Sequence, residues 1–230
     1  MPSNNAPVLH YIFDPLCGWC YAAAPLLAAA RALPGLEIQW HAGGMLSGPA
    51  RRTITPDWRA HVMPHDERIA RLTGQPFGDA YYNGLLNQVG ATLDSTPPIA
   101  AMLAAEAMDG RGLDFLARAQ AAHYVEGRQI ATLAVLQALA HELGLDPLSF
   151  TTHYEIALAG DTARHIEESR EWLQASGGQG FPTFVFEFAD GPSGRRVAQR
   201  IDMGPWLGNP TGWQEHLRQG LAAAEDAAQG

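Results

Sequence analysis

The stretch YIFDPLCGWCYAAAPLL, residues 11–27, holds both cysteines of this 230-residue chain, Cys17 and Cys20. What surrounds them decides the fold. VLHYIF (8–13) is a short apolar run ended by Asp14–Pro15. It does not alternate, so it reads as a strand buried on both faces. An Ala/Leu-rich segment from Cys17 to about Leu33 reads as a helix. Pro25 inside it removes one ladder bond, which predicts a kink near the second turn. Pro34–Gly35 ends the helix, and LEIQWHAG (36–43) is a second strand. Strand, helix and strand with a short return make a right-handed parallel βαβ unit.

The first cysteine of C-x-x-C then falls where a helix begins. Unpaired backbone N–H groups and the positive end of the dipole stabilise a thiolate there, below the free thiol value of ~8.5. Cys20 lies one turn inward on the same face, within disulfide reach. It can attack a mixed disulfide formed on Cys17 and release the partner. The competing reading is half of a zinc site, which needs two further ligands at short spacing. His10 and His41 fall in neighbouring strands without that spacing, so no metal is expected.

Apolar residues make up 47% of the chain and charged residues 17%, a globular balance. The net charge is −9, and Lys/Arg runs stop at the pairs Arg51–Arg52 and Arg195–Arg196. Nucleic acid and anionic membrane are therefore poor partners. No signal-peptide pattern and no membrane-length apolar run is visible, and two cysteines cannot form a stapling framework. A cytoplasmic location is expected.

From about residue 55 to 176 β-runs vanish. Thr55–Pro56 opens a helix to about Leu72, with an interruption expected at Pro64. Further helices are expected at about 78–90, 98–109, 113–125, 130–143, 147–159 and 162–176. Gly144 and Asp146–Pro147 form a stop and a start, and Gly160 and Asp161 are read the same way. FPTFVFEF (181–188) is a strand, DGPS (190–193) a turn, RRVAQRID (195–202) its hairpin partner, and 212–228 an amphipathic helix.

CGWCYAAAPLL with Pro25, the sequence Gly180-Phe181-Pro182-Thr183, and a helical block between βαβ and ββα halves together resemble the thioredoxin superfamily, in its DsbA-like branch. Asp14 three residues before Cys17 and Tyr21 after Cys20 resemble the cytoplasmic FrnE-like, protein-disulfide isomerase group. The resemblance implies an α/β thioredoxin fold (β-α-β … β-β-α) with a discontinuous thioredoxin-like domain at 1–54 and 177–230. A helical insertion domain occupies 55–176. It implies a thiol–disulfide oxidoreductase of isomerase or reductase type, with Cys17 and Cys20 catalytic. It also implies a cis bond before Pro182 and a substrate strand pairing with Phe181, Pro182 and Thr183. The redox group is the disulfide itself, so no cofactor is needed; protein or small-molecule thiols, glutathione among them, are the expected partners.

Other activities share this fold. Kappa-type glutathione transferases and hydroxychromene-carboxylate isomerases typically lack the second cysteine, so Cys20 argues against them. A chaperone or binding module would keep full function without either thiol. Trp19 is read as exposed at the helix start, offering apolar contact to substrate or merely setting local polarity; Gly18–Trp19 must influence the potential. Asp14 is either a buried proton acceptor for Cys20, as a carboxylate is in thioredoxins, or a surface turn residue. Pro15 favours the turn. Gly43 to Gly48 lacks the phosphate-loop lysine and reads as a crossing into the helical block, with Met45 and Leu46 near the active site. The histidines at 61, 65, 123, 141, 153, 165 and 216 read as surface or capping residues. Phe77, Tyr81, Tyr82, Leu85 and Leu86 read as core.

Overall fold

In the computed structural model, which describes residues 6–191 and 195–229, the chain begins with strand β1 (Val8–Phe13). All six of its residues are buried, as a continuous apolar run requires. Two short helices follow, α1 (Gly18–Ala22) and α2 (Ala24–Arg31), then strand β2 (Glu37–Ala42). The chain divides at Ala23 instead of kinking within one helix. Pro25 has no N–H for the Tyr21 carbonyl, and the side-chain amide of Gln75 donates to that oxygen instead, at 2.8 Å.

Strand β3 (Arg52–Thr53) precedes helix α3 (Pro56–Thr73) and pairs with β4 (Thr92–Leu93). Helices α4 (Thr96–Asp109), α5 (Gly112–Tyr124), α6 (Leu133–Glu142), α7 (Pro147–Ile156) and α8 (Thr162–Ala175) complete the helical stretch. The hairpin β5 (Thr183–Asp190) and β6 (Arg195–Ile201) and the helix α9 (Pro210–Gln229) end the chain. The sheet order is β2-β1-β5-β6, with β1 and β2 parallel and the other pairs antiparallel. Tyr11 faces Trp40 on one side and Phe184 on the other. Successive β1 side chains point to opposite faces. Tyr11 stacks on Phe184, which packs on Trp213 of α9, whereas His10 stacks on Trp172 of α8. The first strand is thus covered by α9 on one face and by α8 on the other.

Several local expectations are corrected. Helix α3 runs through Pro64 without interruption. It is capped by Thr55, whose hydroxyl accepts from Trp58 N. The segment expected as a helix at 78–90 is a π turn (80–84) and a 3-10 turn (85–87), followed by a β-bridge in a block expected to have none. A side chain at Gly78 would collide with the Val125 carbonyl, so the segment starts as a close backbone approach. Gly144 and Asp146 do stop and start helices, and the Asp146 carboxylate accepts from Ser149 N. Gly160 does interrupt the helical path, its backbone leaving helical geometry at φ 179 and ψ −35, but Asp161 caps nothing with its side chain and pairs with Arg164 instead. Of the turn expected at 190–193, residues 192 and 193 lie outside the described residues.

Candidate active site

Cys17 is the N-cap of α1, with extended backbone (φ −90, ψ 116), and its carbonyl accepts from Cys20 N and Tyr21 N. The Cys17 thiol is only 7% exposed, and Cys20 is wholly buried beneath it; both are free thiols. Burial, then contact with Cys17, holds the Cys20 thiol well above the ordinary range. Cys17 therefore keeps a small exposed area, whereas Cys20 keeps none and is held protonated.

The Cys17 thiol donates to the Phe181 carbonyl at 3.5 Å, across 164 residues of sequence. The Phe181–Pro182 peptide bond is cis. Thr183 turns inward and its hydroxyl donates to Gly180 O at 2.8 Å. The tip of the Phe181 ring lies against Gly43, where any side chain would collide with it. The two sequence signatures are thus brought into contact at one end of the sheet.

Asp14 is not a surface turn residue. Its backbone carbonyl closes a turn by accepting from Cys17 N, but its side chain is fully buried. The carboxylate accepts from Leu16 N at 2.8 Å, Met45 N at 2.5 Å and the Ser95 hydroxyl at 2.9 Å. Burial nonetheless pushes its pKa up to about 6, against the pull of these bonds and of Arg170. The Asp14 backbone N–H approaches Cys20 Sγ at 3.5 Å, and the carboxylate charge further opposes a Cys20 thiolate.

Trp19 is half-buried, not exposed, with the Arg68 guanidinium 5.7 Å over its ring. Gly18 packs so closely on α3 that a Cβ would sit 2.9 Å from Asp66 Oδ1. Asp66 is buried, accepts from the Tyr81 hydroxyl at 2.9 Å, and is pushed up to about 7 by burial. Tyr21 stacks on Tyr124 and meets the edge of Phe77, joining α1 to the helical stretch. A cavity of about 50 Å³ borders Gly18, Asp66, Tyr81 and His123. His123, read as a surface residue, is buried and pushed down to about 4. His165 is also drawn inward, where its Nε2 accepts from Ala42 N.

His10 and His41 bond to each other at 3.0 Å and lie against Trp172, on the face opposite Tyr11 and α1. Among the described residues no group of three or more acidic, histidine or cysteine side chains is placed to hold a metal. No described helix is long and apolar enough to cross a membrane. The residues missed by sequence reasoning are Asp66, Ser95 and Arg170. Each is a single polar residue in a helical stretch, and no local pattern sets it apart from its solvent-facing neighbours.

Known proteins share this fold. The cytosolic disulfide reductase DsbM from Pseudomonas aeruginosa, in a structure with GSH, is 44% identical, with 94% of this chain and 99% of that chain covered and a TM-score of 0.84. A second DsbM structure from that organism is 46% identical, covers 94% and 100%, and has a TM-score of 0.86. A 2-hydroxychromene-2-carboxylate isomerase, at 17% identity, 94% and 98% coverage and a TM-score of 0.58, shares the fold alone. No curated protein matched the sequence. The sequence model of the DSBA-like thioredoxin domain matches residues 8–203, and the chain belongs to that family.

Proposed function

We propose that this protein is a cytoplasmic thiol–disulfide reductase or isomerase that draws its electrons from glutathione. The observation that carries the reading is the placement of Cys17 at a helix start, against Phe181 O, with Cys20 buried one turn behind it. Cys17 attacks a substrate disulfide and forms a mixed disulfide. Cys20 passes its proton to Asp14 and attacks Cys17 Sγ, and the substrate leaves as a thiolate. The backbone at Phe181 and Pro182 receives the substrate as an added strand. Glutathione as reductant is supported by the DsbM structure with GSH. A glutathione-poised cytosol favours the reducing direction.

The test is reduction of insulin by glutathione in the presence of the wild-type protein and Cys17→Ala. The wild type accelerates insulin reduction and Cys17→Ala does not. Equal rates for the two would overturn the assignment.

A further inference from the structure

Arg170 on α8 reaches the loop that follows β2. Its Nε donates to Gly43 O at 2.8 Å and its guanidinium Nη2 donates to Gly44 O, also at 2.8 Å. This two-point hold fixes two consecutive carbonyls, which one lysine ammonium cannot match in geometry. His165, one turn and a half earlier on α8, holds Ala42 N at 3.0 Å. The residues between these anchors and the site do two things. Gly43 carries the Phe181 ring, and Met45 N donates to Asp14 Oδ2 at 2.5 Å. Leu46 N donates to the Ser95 hydroxyl at 3.2 Å, and Ser95 in turn donates to Asp14 Oδ1. Arg170 therefore touches no thiol, yet it sets the backbone that aims donors at the Asp14 carboxylate.

We infer that Arg170 is a positioning residue for disulfide exchange: by clamping Gly43 and Gly44 it keeps Met45 N on Asp14 and so holds Asp14 ready to take the proton of Cys20. This rests on the part proposed above for Asp14. Asp14 is faced by Cys20 from α1, by Tyr11 from β1, by Ser95 ahead of α4 and by Arg170 from α8. Arg170 is the one cation among these. Losing it removes both the aim of Met45 N and a charge that favours the carboxylate, so the acid limb of the resolving step moves to higher pH.

The experiment uses dithiobis(nitrobenzoate), an aromatic disulfide whose leaving thiolate absorbs visible light. The first equivalent is released when the Cys17 thiolate attacks the probe. The second is released when Cys20, having given up its proton, attacks Cys17 Sγ. The Cys17–Cys20 bond forms as the mixed disulfide breaks, so the pair loses two electrons and the probe gains them. Stopped-flow traces of the full chain separate the two phases. Arg170→Ala is expected to slow the second phase about tenfold, with its acid limb at higher pH and the first phase within twofold. Arg170→Lys, which keeps the charge and packing stem should the alanine variant not fold, is expected to slow it about threefold. In an Asp14→Asn background either substitution should add nothing, because both act through that carboxylate. A second phase unchanged in both Arg170 variants, or slowed by the same factor with and without Asp14, would overturn the inference. If Asp14→Asn alone leaves the second phase unchanged, the part given to Asp14 fails and this inference fails with it. The assignment of Cys17 and Cys20 is untouched by that result.

Discussion

Two buried carboxylates flank the CGWC helix, and they are built differently. Asp14 sits at the end of β1 and accepts three hydrogen bonds, from Leu16, Met45 and Ser95. Asp66 sits on α3 and accepts one, from Tyr81. Both pKa values are raised by burial, to about 6 for Asp14 and to about 7 for Asp66. Asp14 is the more deeply buried of the two, yet it is the less displaced. Donors aimed at the ionised form offset desolvation, and three offset more than one. The first carboxylate is organised to carry charge beside Cys20, whereas the second accepts one protein hydrogen bond, from Tyr81.

Substitution can break this contrast, most strongly in the chemistry. Asp14→Asn is expected to slow resolution by Cys20 about a hundredfold, the lower range for loss of a general base. Asp66→Asn is expected to change it less than threefold. Equal slowing in the same two-phase assay would mean that the two carboxylates share the role.

Stability gives the next effect, a gain at one carboxylate and none at the other. For each group the folded pKa lies above the 3.8 of the free side chain, so the folded state binds the proton more tightly. The stability cost is absent below pH 3.8 and grows as pH rises to about 6 for Asp14 and to about 7 for Asp66. Asparagine avoids the charge, and Tyr81 can still donate to its oxygen. Asp66→Asn is therefore expected to stabilise the protein at pH 8 by roughly 2 kcal/mol in urea unfolding. Asp14→Asn should give no gain, because its amide N–H would face the Met45 N–H, donor against donor. A stabilised Asp14→Asn protein would contradict the account of its three bonds.

The smallest effect tests how α1 meets α3. In Gly18→Ala the new Cβ lies 2.9 Å from Asp66 Oδ1 and 3.2 Å from Ile69 Cδ1. A loss of about 1 kcal/mol is expected, largely recovered in an Ile69→Val, Asp66→Ala background. A loss unchanged in that background would place the strain elsewhere.

Much of the fold was legible because its signals are local. VLHYIF gave a buried strand, Pro25 and Pro34–Gly35 punctuated the helices, and Asp146–Pro147 marked a helix start. Where a segment answered to distant contacts, local reading failed. The 78–90 segment looks helical, but its backbone is set by close approach to Val125. Pro64 looks like a breaker, but α3 continues through it, packed on α1. At the site, Cys17 and Cys20 stood out by their spacing, and Pro182 through the resemblance of Gly180-Phe181-Pro182-Thr183 to a family motif. Asp14 was read as a turn because its neighbour is proline; its burial is decided by Met45 and by Ser95, 81 residues away. Arg170 carried no signal, since its partners are backbone carbonyls 126 and 127 residues earlier.

The division of labour between a leading Cys17 and a following Cys20 is tested most directly by trapping. Glutathione disulfide is mixed with Cys20→Ser and with Cys17→Ser, and each protein is weighed intact by mass spectrometry after acid quenching. The structure predicts one glutathione adduct accumulating on Cys20→Ser, mapped to Cys17, and almost none on Cys17→Ser, whose remaining thiol is buried. Equal adducts on the two variants, or none on Cys20→Ser, would contradict it.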